Sequence, residues 1–156
     1  MKFVTWTLLA VMILLLAGAV IFIFSGTYDI AASTPHSDFE HWLFETITAN
    51  SIDARANDTT SLDLTDSNLI KRGFVHYDAM CVTCHGASGV PPGEIGQGLN
   101  PAPPALIEAA DKLEPSEIFW VVKHGLKFSG MPSFGKTHTD GDRKSTRLNS
   151  SHGKLS

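Results

Sequence analysis

Cys81-Val82-Thr83-Cys84-His85 places two thiols and an imidazole within five consecutive residues, and these are the only two cysteines in the chain. With two residues between them, the thiols cannot staple a loop-rich fold, so a ligating or reactive pair is the better reading. Three chemistries use such a pair. A thioredoxin-like dithiol belongs beside an alternating strand and helix pattern, which is missing here. A zinc site needs four ligands, usually including a second Cys or His pair at short spacing, and no such pair follows. A Cys-x-x-Cys-His run also matches covalent haem attachment, in which the thiols add to the porphyrin vinyl groups and the adjacent histidine ligates the iron. Two intervening residues turn the chain by about one helical step, which sets both sulfurs along one porphyrin edge and the imidazole of the next residue beneath the ring. One run implies one haem, held by Cys81 and Cys84, with His85 on the iron.

A sixth ligand is expected from a loop downstream, and the stretch from Lys123 to Gly135 supplies Met131, flanked by Gly130 and Pro132. Met1 and Met12 lie in the amino-terminal anchor segment and Met80 abuts the first cysteine, so geometry leaves no other methionine. His124 and His138 are the alternatives. A thioether ligand favours ferrous iron relative to a second imidazole and raises the reduction potential, which suits a one-electron carrier. His36 and His41 read as surface histidines.

With these residues in place, Tyr77 to Asn100, the Trp120 segment and the Gly-Met-Pro loop resemble class I c-type cytochromes of the bacterial, membrane-anchored, single-haem kind. The likeness covers roughly Leu69 to Asp140, with two motifs in the proper order. It implies an all-α haem domain and two supporting roles. A proline-loop carbonyl, from Pro101, Pro103 or Pro104 and with Pro104 as the candidate, would bind the proximal imidazole, and Trp120 would meet a haem propionate. It also implies electron transfer rather than catalysis. Redox proteins would be the partners: a membrane dehydrogenase, a quinol-oxidising complex or a terminal oxidase. The alternative function is a haem-based gas sensor or a peroxidase-like enzyme with an open iron site.

These residues need elements to position them. Phe3 to Phe24 is an uncharged run of 22 residues, long enough as a helix to cross the ~30 Å hydrocarbon layer. Lys2 precedes it, and Asp29, Asp38 and Glu40 follow, which predicts a cytoplasmic amino terminus and a single-pass protein of the inner membrane with its haem domain on the periplasmic side. A cleaved signal peptide is the rival, since Ala17 and Ala19 are suitably small, but the apolar run continues past them to Phe24. Residues 1–26 are thus the anchor.

Residues 27–64 hold a connector, a helix and a linker. Ser37 with Glu40 forms a capping box that starts a helix reaching about Arg55, its apolar stripe carried by Phe39, Trp42, Leu43, Ile47 and Asn50 against the membrane surface or the domain. Ala56 to Leu64 reads as the linker. The haem domain is expected over 65–141. Its first helix is capped by Thr65 or Asp66 and carries Leu69, Ile70, Gly73, Phe74 and Tyr77 on one side. Gly86 to Pro104 has five glycines and five prolines in 19 residues and reads as a loop wrapped around something. Pro115 then opens a helix through Trp120 that Gly125 ends.

Class I cytochromes close with a helix crossing the first helix of the domain. That helix is not visible here, and without it the face of Leu69, Gly73 and Tyr77 is expected to be exposed. Residues 142–152 instead resemble a translated sequencing-library adapter, so 142–156 is read as an artefactual or disordered tail. From Thr27 to Gly141, seven Lys or Arg stand against fifteen Asp or Glu, a net charge of −8 that disfavours nucleic acid as a partner. Lys123, Lys127 and Lys136 surround the methionine loop as a local basic rim.

Overall fold

The computed structural model describes residues 2–56 and 66–139, and the chain divides into two compact units, Met1–Thr34 and Pro35–Ser156. Among the described residues no β-strand forms. Ala87 and Val90 make an isolated bridge, and the regular structure is otherwise helical, as an all-α fold requires.

The first unit is helix α1 (Lys2–Phe24) and the turn that follows it. Its mean hydropathy reaches 2.9 and none of that stretch is buried, so α1 fits a membrane anchor by length and composition. Beyond it Asp29 accepts hydrogen bonds from the Thr34 hydroxyl at 2.7 Å and the Ala31 amide at 2.9 Å. These two donors, the hydroxyl first, hold its carboxyl below the usual carboxylate range.

In the second unit the helix boundaries follow the local chemistry. Helix α2 (Asp38–Asp53) starts at the Ser37 and Glu40 capping box. Helix α3 (Ser67–Met80) starts at Asp66, whose carboxylate accepts from the amides of Asn68 and Leu69. Helix α4 (Val82–His85) is the single turn carrying the Cys-x-x-Cys-His residues. The Gly/Pro segment contains one turn of helix, α5 (Glu94–Gln97), and α6 (Leu106–Lys112) follows it. Helix α7 (Pro115–His124) has Pro115 in its first turn and ends at Gly125, where φ is +67°. A 3-10 turn at Phe134–Lys136 packs back on α7.

The buried large apolar residues, among those described, are Ile52 of α2, Tyr77 of α3, and Phe119 and Val121 of α7. Two sequence expectations need correction. The expected stripe of α2 meets the domain only in part: Phe39 and Trp42 are 65% and 58% exposed, whereas Leu43 is half-buried, Ile47 lines the hollow against α7, and Ile52, outside the expected stripe, is 4% exposed. The face turned to α7 runs through Phe44, Thr48, Ser51 and Ile52 with Ile47 at its edge, and two small hydroxyl residues in it hid it from an apolar count. The face of α3 expected to be bare is not bare. Gly73 and Tyr77 are buried and Leu69 is half-buried, and the chain after His85 turns back so that the Tyr77 hydroxyl donates to the Gly86 carbonyl. The expected linker beyond Ala56, the Thr65 cap and the tail lie outside the described residues.

Candidate haem site

The Cys81–His85 turn is fixed by its own backbone. Cys84 and His85 both donate amide hydrogen bonds to the Cys81 carbonyl, at 3.0 and 2.8 Å, and Gly86 donates to Val82 at 2.9 Å. The two thiols therefore project from one helical turn and are half-buried. Burial, and secondarily the neighbouring Cys84, pushes the Cys81 thiol up to about 11, so it is protonated at neutral pH.

The Gly/Pro segment folds onto this turn. Gly93 donates to the Thr83 carbonyl at 3.0 Å. A β-carbon on Gly96 would stand 2.6 Å from the Cys84 carbonyl oxygen and 2.8 Å from its α-carbon, so only glycine lets α5 lie directly on the motif backbone. Further along the same segment, the Pro104 carbonyl lies 2.8 Å from His85 Nδ1. A carbonyl can only accept, so Nδ1 carries a proton, and the neutral tautomer compatible with this bond has its lone pair on Nε2.

The methionine loop is built from the end of α7. Leu126 donates its amide to the Met131 carbonyl at 3.2 Å, the Ser129 hydroxyl donates to the Leu126 carbonyl at 3.0 Å, and the Met131 amide donates to Ser129 Oγ at 3.1 Å. The Ser133 hydroxyl reaches back to the Lys123 carbonyl at 2.8 Å. A side chain on Gly125 would meet the backbone of Met131, Pro132 and Ser133 at 2.7–2.8 Å, so the chain passes against the helix end there. Leu99 of the Gly/Pro segment covers Gly130, which ties the two loops together. Met131 itself is half-buried.

Trp120 stands on α7 with its ring 4.9 Å from that of His124. Both line a hollow of about 360 Å³ between α7, the loop after it and α2, together with Ile52, Arg55 and Phe128. His138 packs its ring on His76 and Phe134. His36 lies 5.6 Å from the Phe44 ring, and His41 pairs with Glu45 at 3.3 Å on the surface. Among the described residues no three His, Cys, Asp or Glu side chains converge as a metal cluster, whereas a porphyrin iron takes only axial ligands from the protein.

The sequence did not single out Leu99, Gly96 or Tyr77 as supports of the site. Gly96 was legible only as one of many glycines, and the role of Leu99 depends on two loops meeting that are distant in the chain.

No curated protein matches the chain significantly. Residues 68–146, just over half of the chain, match the family described as Cytochrome C oxidase, cbb3-type, subunit III, and this segment spans α3 to α7, the Cys-x-x-Cys-His turn and the methionine loop. A helical unit of that make-up, joined to a chain with an apolar amino-terminal helix, is a haem-binding electron-transfer domain, and the chain belongs to that family of c-type cytochromes.

Proposed function

We propose that the chain is a one-electron carrier with a single covalently bound haem c, held in thioether linkage by Cys81 and Cys84 and ligated by His85 and Met131. When bound, the haem supplies an iron that cycles between ferric and ferrous states. The observation that carries the reading is the bond from His85 Nδ1 to the Pro104 carbonyl. It fixes the tautomer, leaves Nε2 as the ligating nitrogen and restrains the ring in rotation. The protonated Cys81 thiol and its partner one turn on are the two groups that thioether formation consumes. Leu99 and Gly130 close the two loops against each other, which favours keeping water from the iron. Trp120 is the candidate neighbour of a propionate.

Residues 65–141 form the haem domain in this reading, 1–26 the anchor, 27–64 the connecting helix and linker, and 142–156 a tail outside the haem domain. The haem domain lies on the periplasmic side of the inner membrane, where covalent haem attachment takes place. Membrane redox complexes are the partners, and the family description makes a terminal oxidase the first to try.

Maturation in a cytochrome-assembling host followed by denaturing electrophoresis and haem staining tests attachment: the wild type should stain and Cys81→Ala, Cys84→Ala should not. The ligation is read from the spectrum. Wild-type ferric protein should show the weak near-red band of methionine ligation, lost in Met131→Ala, and the ferrous form should bind carbon monoxide slowly. Rapid gas binding by the wild type would instead place the chain among haem sensors or peroxidase-like enzymes.

A further inference from the structure

Helix α2 lies outside the matched segment, yet it reaches the loop that carries Met131. Phe128, three residues before Met131, has φ of +62° and is the one non-glycine residue with positive φ among those described. A bulky side chain adopts that conformation only where its surroundings hold it there. Phe128 is 63% exposed even with Phe44 of α2 against it, so few contacts hold its ring and the aromatic stack is the one that bears on it from outside the matched segment. Its partner is Phe44 of α2, stacked on it with ring centres 5.0 Å apart and planes inclined by 27°. Phe44 is in turn braced by the His36 ring at 5.6 Å, and α2 is seated on α7 through the buried Ile52.

We propose that Phe44 is a positioning residue for Met131: its stack on Phe128 stabilises the strained turn of the methionine loop, so a helix outside the haem-binding segment controls how readily the methionine ligand is exchanged. The inference rests on the His85 and Met131 ligation given above. Releasing the stack lets Phe128 relax to negative φ. Because Leu126 to Met131 is one hydrogen-bonded loop, that change is passed to Met131 rather than absorbed in solvent.

The test uses the full-length, haem-loaded chain in detergent. Ferric protein is titrated with imidazole, which competes with methionine for iron, while the near-red band is followed. Phe44→Ala should strengthen apparent imidazole binding about three- to tenfold, the range an aromatic pair is worth, and Phe44→Tyr should restore wild-type behaviour. If the effect passes through the stack, Phe44→Ala should add nothing once Phe128→Ala is present. Ile52→Ala serves as the structural control, lowering resistance to urea with a smaller change in imidazole affinity. The proposal is overturned if Phe44→Ala matches the wild type, or if imidazole affinity merely follows urea resistance across Phe44→Ala, Phe128→Ala and Ile52→Ala. A wild type without the near-red band, its spectrum unmoved by Met131→Ala, would instead overturn the ligation reading and this proposal with it.

Discussion

At the scale of single residues, the site depends on close backbone approach and on one buried phenol. Gly96→Ala would drive a methyl group into the Cys84 carbonyl and α-carbon, neither of which can swing away as a side-chain tip could. Overpacking of this kind costs about 1–3 kcal/mol, and urea unfolding of the matured protein should show it as a lowered midpoint with an unchanged slope. Tyr77 gives a pH dependence. Burial first, and the neighbouring Cys81 second as long as its thiol is free, push its phenol from 10.0 up to about 12, so burial is the cause that survives haem attachment. The folded chain therefore holds this proton more tightly than the unfolded chain. Its contribution is complete below pH 10 and is lost as pH rises towards 12, because in that window the unfolded chain alone releases the proton. Tyr77→Phe should lower stability at pH 7 by about 1 kcal/mol, through the hydrogen bond lost to Gly86, and should flatten the alkaline decline. Urea titrations of both proteins at neutral and alkaline pH compare the two slopes, and an equally steep decline in Tyr77→Phe would refute the assignment.

At the scale of elements, caps were legible and packing partners were not. Ser37 with Glu40, Asp66, Pro115 and Gly125 each mark a helix end by local chemistry, and α2, α3 and α7 begin or end at those residues. The candidate site was equally legible in its kernel, since five adjacent residues carry it. Helix α6 was not legible. It is seven residues long, has no side-chain cap and follows a proline-rich stretch, so it owes its existence to contact with α7. The face of α2 was read only in part for a related reason: Ile47 lines the hollow as the stripe implied, but the two exposed aromatics outweigh Thr48 and Ser51 in any apolar count, although the latter two face the hollow as well. The two faces should respond differently. Ile52→Ala should cost about 2–5 kcal/mol as a buried truncation, whereas Trp42→Ser, at a 58% exposed position, should stay within about 0.5 kcal/mol. Equal losses from both in chemical denaturation would mean that the helix packs through its aromatic stripe after all.

At the scale of the whole molecule, an apolar helix and a redox unit are joined by a short stretch of chain, and its length has a functional consequence. Thirteen residues separate the end of α1 at Phe24 from the start of α2 at Asp38. Fully extended, they span at most about 45 Å. With α1 in the bilayer, a connector of that length confines the haem unit to a thin layer at the membrane, and encounter with a complex in the same membrane becomes a matter of effective concentration rather than of free diffusion in three dimensions. Specificity can then remain loose, which accords with an acidic chain whose basic side chains Lys123, Lys127 and Lys136 lie in or beside the methionine loop. Doubling the connector with an inserted Gly/Ser segment after Thr34 should lower the effective concentration about threefold, by the −3/2 power of length, without touching the haem unit. Turnover of an oxidase in the same proteoliposome should fall by a similar factor when encounter is limiting, while the reduction potential and spectrum stay fixed. A rate indifferent to connector length would mean that the haem unit is docked on its partner throughout turnover, and that its interface, rather than its tether, sets the speed of electron delivery.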